Sequence, residues 1–329
     1  MNDTSKKCDV FIEIDNKGKL QLPRLKDSVE MTFERQGAPG KLKFSVIKDE
    51  NLDFLEGNRA VLYVNREPVF SGYIFEKKRD KGGIIDVTAY DQIRYLKNKD
   101  TIKVKAGETA SQFIKKVAAA YKLECGEICE TGFGLEEEYF SNETVLDMFQ
   151  KNLDNTLIGT NKIYVFYDDC GRLTLKDSMD MMLNVVIKDS RLENFDYTSS
   201  IDKETYNVAE VVYLNEDEKI SDRKSADDIS TINRWGLLKY IDEAKEYNPA
   251  QMEERAKFLL KRFNKVSRSL SLSNCYGDLR VRGGSGVFVD LNLGDIIVDQ
   301  YFMCERVTHI FKDNMHLMSL DLRGEDFRE

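Results

Sequence analysis

Histidine is scarce in this 329-residue chain, which contains only His309 and His316. A zinc-hydrolase helix of the HExxH kind needs two histidines on adjacent turns, and the spacing here does not fit. If the chain turns back at Asp313 and Asn314, the two rings can face each other across strands, but the sequence points to no further metal ligand. Long apolar runs are missing as well. Stretches 286–293 and 60–64 are the most apolar, far short of the ~20 residues of a membrane-spanning helix, so no membrane anchor is expected. The N-terminus lacks the apolar core of a secretory signal. Cysteine is present without a pattern: six residues are scattered, and the one close pair, Cys125 and Cys129, is one residue wider than a redox CxxC. No second pair completes a zinc site, and free thiols acting as small hydrophobes in a reducing cytosol are expected.

Basic excess is also lacking, with 49 Lys and Arg against 58 Asp and Glu and a formal charge of −9. Phosphate binding needs a basic surface to displace counterions, so no specific nucleic-acid binding is expected. No GxSxG elbow occurs. The Gly-rich run Arg282-Gly283-Gly284-Ser285-Gly286 lacks the Lys-Ser/Thr of a phosphate loop and lies between strands, so it reads as a flexible β turn. Carboxylates cluster at 136–138, Asp168-Asp169 and Asp227-Asp228. A glycosidase needs two of them across a sugar-sized cleft, which neighbours in a turn do not supply. No catalytic, cofactor-binding or metal-binding residue is assigned.

Proline is rare, at four residues, while Tyr and Phe number 15 and 18, which favours strands with aromatic cores. Short alternating runs separated by turn chemistry fill the first hundred residues and suggest a barrel or sandwich. Thr109 to Gln112 forms a capping-box sequence ahead of an amphipathic helix carrying Phe113, Ile114, Val117, Ala118 and Tyr121. A second helix begins near Thr144, and 162–176 reads as a hairpin turning at 168–171. Asn248 and Pro249 open a further helix over 249–266, after a polar, charged stretch at 215–228 that reads as a mobile loop. Strands resume at 269–272, 279–282, 286–291, 295–298, 303–311 and 315–322. The predicted class is α+β, mainly β. Two similar β-barrel-like domains, 1–100 and 185–329, flank a small α+β domain at 101–184. The duplication is read from one strand-turn-strand-turn-strand layout, which follows Gly57 in the first domain and Gly294 in the last.

Residues 235–240, Arg268 to Leu272, Gly277 to Gly284, Val307 to Phe311 and Met315 to Leu320 together resemble the baseplate hub family. That family serves contractile phage tails, defective prophages and R-type phage-tail-like bacteriocins. Upstream, 70–74, 89–96 and 202–207 resemble it too, so the likeness spans nearly the whole chain. The resemblance implies a homotrimeric structural protein and no enzyme. Its two barrels per subunit would present six modules to the hexameric tail tube and threefold geometry to the central spike. Other implied partners are baseplate wedge or further hub proteins. Assembly would take place in the bacterial cytoplasm, and the chain would end in the baseplate of a released particle. A phage-associated cell-wall hydrolase, or the hub of a secretion-type injection machine, is the competing expectation.

Overall fold

The computed structural model describes residues 8–188, 192–202, 204–214, 220–244, 248–292, 294 and 297–324. The chain is mainly β with a minority of helix, and it divides into two compact units, one of residues 1–196 with 270–329 and one of 197–269.

In the first unit, β1 (Val10–Asn16), β2 (Lys19–Gln21), β3 (Leu25–Glu34), β4 (Lys41–Ile47), β5 (Arg59–Val64), β6 (Glu67–Arg79) and β7 (Ile84–Tyr90) come first. Successive side chains of a strand point to opposite faces. That is why Leu42, Phe44 and Val46 of β4, Ala60, Leu62 and Val64 of β5, and Ile85, Val87 and Ala89 of β7 are all buried. With Ile12, Ile14 and Phe70 they make one apolar core.

A small α+β body follows: β8 (Lys99–Val104), α1 (Ala110–Ala120), β9 (Cys125–Ile128), β10 (Glu138–Thr144), α2 (Val145–Thr160), β11 (Tyr164–Asp168) and β12 (Leu173–Asp177). The capping box forms, with the Gln112 amide donating to Thr109 Oγ1 and the Thr109 amide donating to Gln112 Oε1. Phe113, Phe140 and Phe149 lock the two helices against the sheet. The hairpin of β11 and β12 turns through Cys170 and Gly171, both at positive φ.

Then come β13 (Met182–Lys188) and β14 (Asn194–Ser200), which carries the chain out of the first unit. The second unit holds β15 (Val208–Leu214), β16 (Ile220–Asp227), α3 (Ile229–Trp235), β17 (Lys239–Ala244) and α4 (Pro249–Phe263). Its sheet has the order β16-β15-β17, and Met252, Ala256 and Leu259 of α4 pack on Ala209 and Val211 of β15. The chain returns through β18 (Ser267–Tyr276) and completes the first unit with β19 (Gly286–Asn292), β20 (Ile297–Lys312) and β21 (Met315–Gly324).

Two sets of six strands share one order. The first runs β3-β4-β7-β6-β5-β1 and the second β14-β18-β21-β20-β19-β13. In chain order each set reads second, third, sixth, fifth, fourth, first. One difference is the sense of the last pair: β1 lies antiparallel to β5, whereas β13 lies parallel to β19. The sets join into a single thirteen-stranded sheet because β3 pairs with β20.

Several local expectations are corrected. Of the strand expected at 295–298, Ile297 and Val298 open a 16-residue β20 that continues to Lys312, and 295–296 lie outside the described residues. Asp299 and Gln300 look like turn residues but sit opposite Asp290 and Val289 in the ladder with β19. The second set therefore begins its meander after Gly284, not after Gly294. Residues 279–282 are a turn followed by irregular chain, not a strand. Within 215–228, the described part is β16, paired along β15. Its polarity reflects an edge strand whose residues alternate between exposed and half-buried, and 215–219 lie outside the described residues. The helix expected over 249–266 stops at Phe263, where Asn264 takes the C-cap.

Candidate functional site

The two histidines do meet. His309 on β20 and His316 on β21 place Nδ1 of the first 2.9 Å from Nε2 of the second, and His309 Nε2 lies 2.9 Å from the Val281 carbonyl. A carbonyl only accepts, so His309 carries its proton on Nε2 and its Nδ1 accepts from His316 Nε2–H. Burial lowers both pKa values, to about 3 for His309 and about 4 for His316. Gly277 leaves the space that the His316 ring fills. Both nitrogens of His309 are thus committed, and the described residues contain no group of three or more His, Cys, Asp or Glu able to hold a metal.

The other sequence candidates are dispersed. Cys125 is exposed and Cys129 half-buried, both free, and burial pushes the Cys129 thiol up to about 11, far from a reactive thiolate. Glu137 pairs with Lys103. Asp228 caps α3 by accepting from the Ser230 and Thr231 amides.

Asp168, Asp169 and Arg282 do come together, at a residue that sequence reasoning places at the end of a strand and the start of a turn, with no role of its own. The Arg282 guanidinium lies 3.7 Å from the centre of the Tyr167 ring and 4.9 Å from that of Phe33. It donates to the Asp168 carbonyl at 2.6 Å and faces Asp169 Oδ1 at 3.5 Å. The Asp168 carboxylate accepts from the Gly171 amide at 2.6 Å and from Gln92 Nε2 at 2.8 Å. Next to Gln92, Asp91 accepts from the amides of Gly40 and Ile93. Burial raises the pKa of both carboxyls, and the Asp168 charge raises that of Asp91 further. This string ties the first strand set (Gly40, Asp91), the α+β body (Asp168, Tyr167) and the second set (Arg282). The Gly-rich run beside Arg282 is buried. Gly284 sits at φ +91°, and a Cβ there would lie 2.5 Å from Val165 Cγ1.

A second joint lies along β3 and β20, where Val29 to Glu34 pair with Phe311 to Arg306. Arg35 Nε donates to both carboxylate oxygens of Glu305 at 2.9 Å, Thr32 and Thr308 hydroxyls meet at 3.1 Å, and Glu34 faces Arg306 at 4.0 Å. Both polar clusters are built to hold strand sets in place. Neither offers a nucleophile beside a base, or two carboxylates across an open cleft.

Residues 29–323 match the model of the YQBQ-like family. The chain belongs to that family. Among its relatives is XkdQ of the phage-like element PBSX of Bacillus subtilis, 24% identical over 303 residues, which cover 90% of this chain and 91% of XkdQ. The YQBQ-like chain also shares its fold with the 43 kDa tail protein of prophage MuSo2 from Shewanella oneidensis. That match has a TM-score of 0.71 and 11% identity, covering 95% of this chain and 98% of the other. The E. coli c3393 protein, a type VI secretion component described as structurally similar to the T4 phage tail proteins gp27 and gp5, matches with a TM-score of 0.56 and 9% identity. The match covers 96% of the YQBQ-like chain and 77% of c3393. The fold is therefore one used by phage tail proteins.

Proposed function

We propose that this chain is the baseplate hub of a contractile injection particle, a homotrimer linking the hexameric tail tube to the trimeric central spike. The observation that carries this reading is the use of one six-strand order twice in a single chain. Three copies then offer six similar modules. A threefold ring can face a sixfold tube on one side and a threefold spike on the other. The family relationship to a protein of the PBSX phage-like element supports placement in a tail. The partners are a tube protein, a spike protein and neighbouring wedge or hub proteins. The particle is assembled in the bacterial cytoplasm and released with the hub in its baseplate. Three copies triple a net charge of −9, and a negative channel wall would repel nucleic acid or tape-measure segments passing through it.

The role is structural, not enzymatic: the polar clusters around Arg282 and along β3 and β20 are spent on joining strand sets. Electron cryomicroscopy of the assembled particle tests the reading: three copies are expected on the tail axis between tube and spike. Another copy number, or a position away from the axis, overturns it. A peptidoglycan zymogram is expected to show no clearing, and a clear band would favour a cell-wall hydrolase. The likeness to c3393 supports one second reading, the hub of a secretion-type machine. The tube protein that co-purifies with this chain separates the two.

A further inference from the structure

The duplication extends to single hydrogen bonds. In the first set the Gly57 amide donates to the Ile74 carbonyl at 2.7 Å, and the Ile74 amide to the Asn58 carbonyl at 2.9 Å. In the second set the Gly284 amide donates to the Cys304 carbonyl at 2.7 Å, and the Cys304 amide to the Ser285 carbonyl at 2.8 Å. The ladders then open in step, Arg59 opposite Tyr73 and Gly286 opposite Met303. A bulge follows in each long strand. Phe75 is skipped between the Ile74–Ala89 and Glu76–Thr88 pairs, and Glu305 between the Cys304–Leu322 and Arg306–Asp321 pairs. Glu76 is thereby the counterpart of Arg306, and residues 77–79 are the counterparts of 307–309.

Beyond the bulge the sets differ in one respect. In β20, residues 306–311 carry β21 on one edge and β3 on the other. In β6, residues 76–79 carry β7 on one edge, and no strand of the described residues pairs with the other. The counterpart of β3 in the second set is β14, which is bonded to β18 and has no strand on its outer edge among the described residues. Among the described residues each chain thus has one filled joint, β3 on β20, together with one vacant strand edge of each kind.

We propose that β14 of one copy adds to residues 76–79 of β6 in a second copy, repeating between chains the joint that β3 and β20 make within one. An unpaired edge is a template for strand addition. Here the edges are matched in charge. With Lys77 paired to Glu56, Lys78 and Arg79 against Glu76 leave the β6 edge net basic, while β14 carries the exposed Asp196, with Glu193 just ahead of it. Opposite charges likewise meet in the filled joint, at Arg35–Glu305 and Glu34–Arg306. Lys77 reaches the Phe54 carbonyl and Glu56, so Lys78 and Arg79 are the exposed cations to alter. The contact is head to tail, and copies joined this way alternate first and second sets around a ring. This inference rests on the trimeric hub reading and specifies its interface.

The test is a charge exchange read by the mass of the full chain against concentration, with circular dichroism confirming the fold of each variant. Lys78→Glu with Arg79→Glu, and separately Asp196→Lys, are each expected to raise the concentration for half-assembly at least about tenfold. All three substitutions in one chain are expected to restore assembly, because the reversed edges again attract. A triple variant as weak as the sum of the separate losses overturns the proposal. So does the absence of an intermolecular disulfide between Lys78→Cys and any of Asp196→Cys, Thr198→Cys or Ser200→Cys. A trimeric wild type that fails these tests sinks the strand joint alone; a wild type that stays monomeric at every concentration sinks the trimeric hub with it.

Discussion

The Arg282 guanidinium stacks on the ring of Tyr167 at 3.7 Å while donating to the carbonyl of Asp168, the very next residue. One side chain from the second strand set therefore grips two consecutive residues of the α+β body. A buried cation is costly unless its partners are in place, and removing one member of such a group leaves the rest uncompensated. Arg282→Ala is expected to cost about 3–5 kcal/mol in urea-induced unfolding. Arg282→Lys is expected to recover only part of that loss, since an ammonium neither stacks flat on Tyr167 nor spans the carbonyl and Asp169. Full recovery by lysine would reduce the group to a simple charge.

Acid sensitivity follows from the histidine pair. His309 and His316 titrate near 6.5 when unfolded but are lowered by burial to about 3 and about 4 in the fold. Between pH 6.5 and 4 the unfolded chain takes up protons that the native pair refuses, so stability is greatest above 6.5 and falls as pH drops. Asp91 and Asp168 act in the opposite sense. Their raised pKa values cost stability at neutral pH, and protonation relieves that cost as the pH falls through those values. Urea titrations from pH 7 to 4 are expected to show a loss of stability that flattens in the variant His309→Gln with His316→Leu. An unchanged slope would remove the pair from the account.

Charge is also buried in the second unit. Glu210 of β15, 8% exposed, faces Lys239 of β17 and Arg223 of β16. It holds both neighbouring strands to the central one, which is why the lysine- and arginine-bearing β16 is a strand despite its polarity. Glu210→Ala removes the partner shared by two cations that can both turn to solvent, and is expected to destabilise the chain by about 1–2 kcal/mol. Arg223, more than half exposed, contributes little, and Arg223→Ala is expected to cost under about 1 kcal/mol. Equal losses from the two variants would mean that Glu210 does not bridge the sheet.

What could be read from the sequence is what local rules encode. Alternation in 42–46 and 85–89 marked β4 and β7, and Thr109 with Gln112 marked the start of α1, because each signal lies within a few residues of its cause. The duplication was visible as well, but in the wrong register. The run after Gly294 imitates the one after Gly57, and only hydrogen bonds to Ile74 and Cys304 show Gly284 to be the true counterpart. The β3–β20 joint has no local signature, since Thr32 and Thr308 are 276 residues apart. Arg282 was legible only as the end of a short strand and the start of a Gly-rich turn, for the groups that explain it come from β3, β11 and the turn after β11.

Gly57 and Gly284 occupy equivalent places at φ +84° and +91°, in a region where side chains are strained, yet their surroundings differ. A Cβ at Gly57 meets nothing within 4 Å, whereas one at Gly284 would lie 2.5 Å from Val165 Cγ1. Gly57→Ala therefore bears the backbone cost alone, about 1–2 kcal/mol. Gly284→Ala adds overpacking against Val165, about 1–3 kcal/mol more. Trimming the neighbour isolates that second part: Gly284→Ala with Val165→Ala is expected to be less destabilised than the two separate losses combined, as measured by a double-mutant cycle. Strict additivity would mean that the close approach to Val165 plays no part. Gly284 would then be required, like Gly57, for its backbone conformation alone.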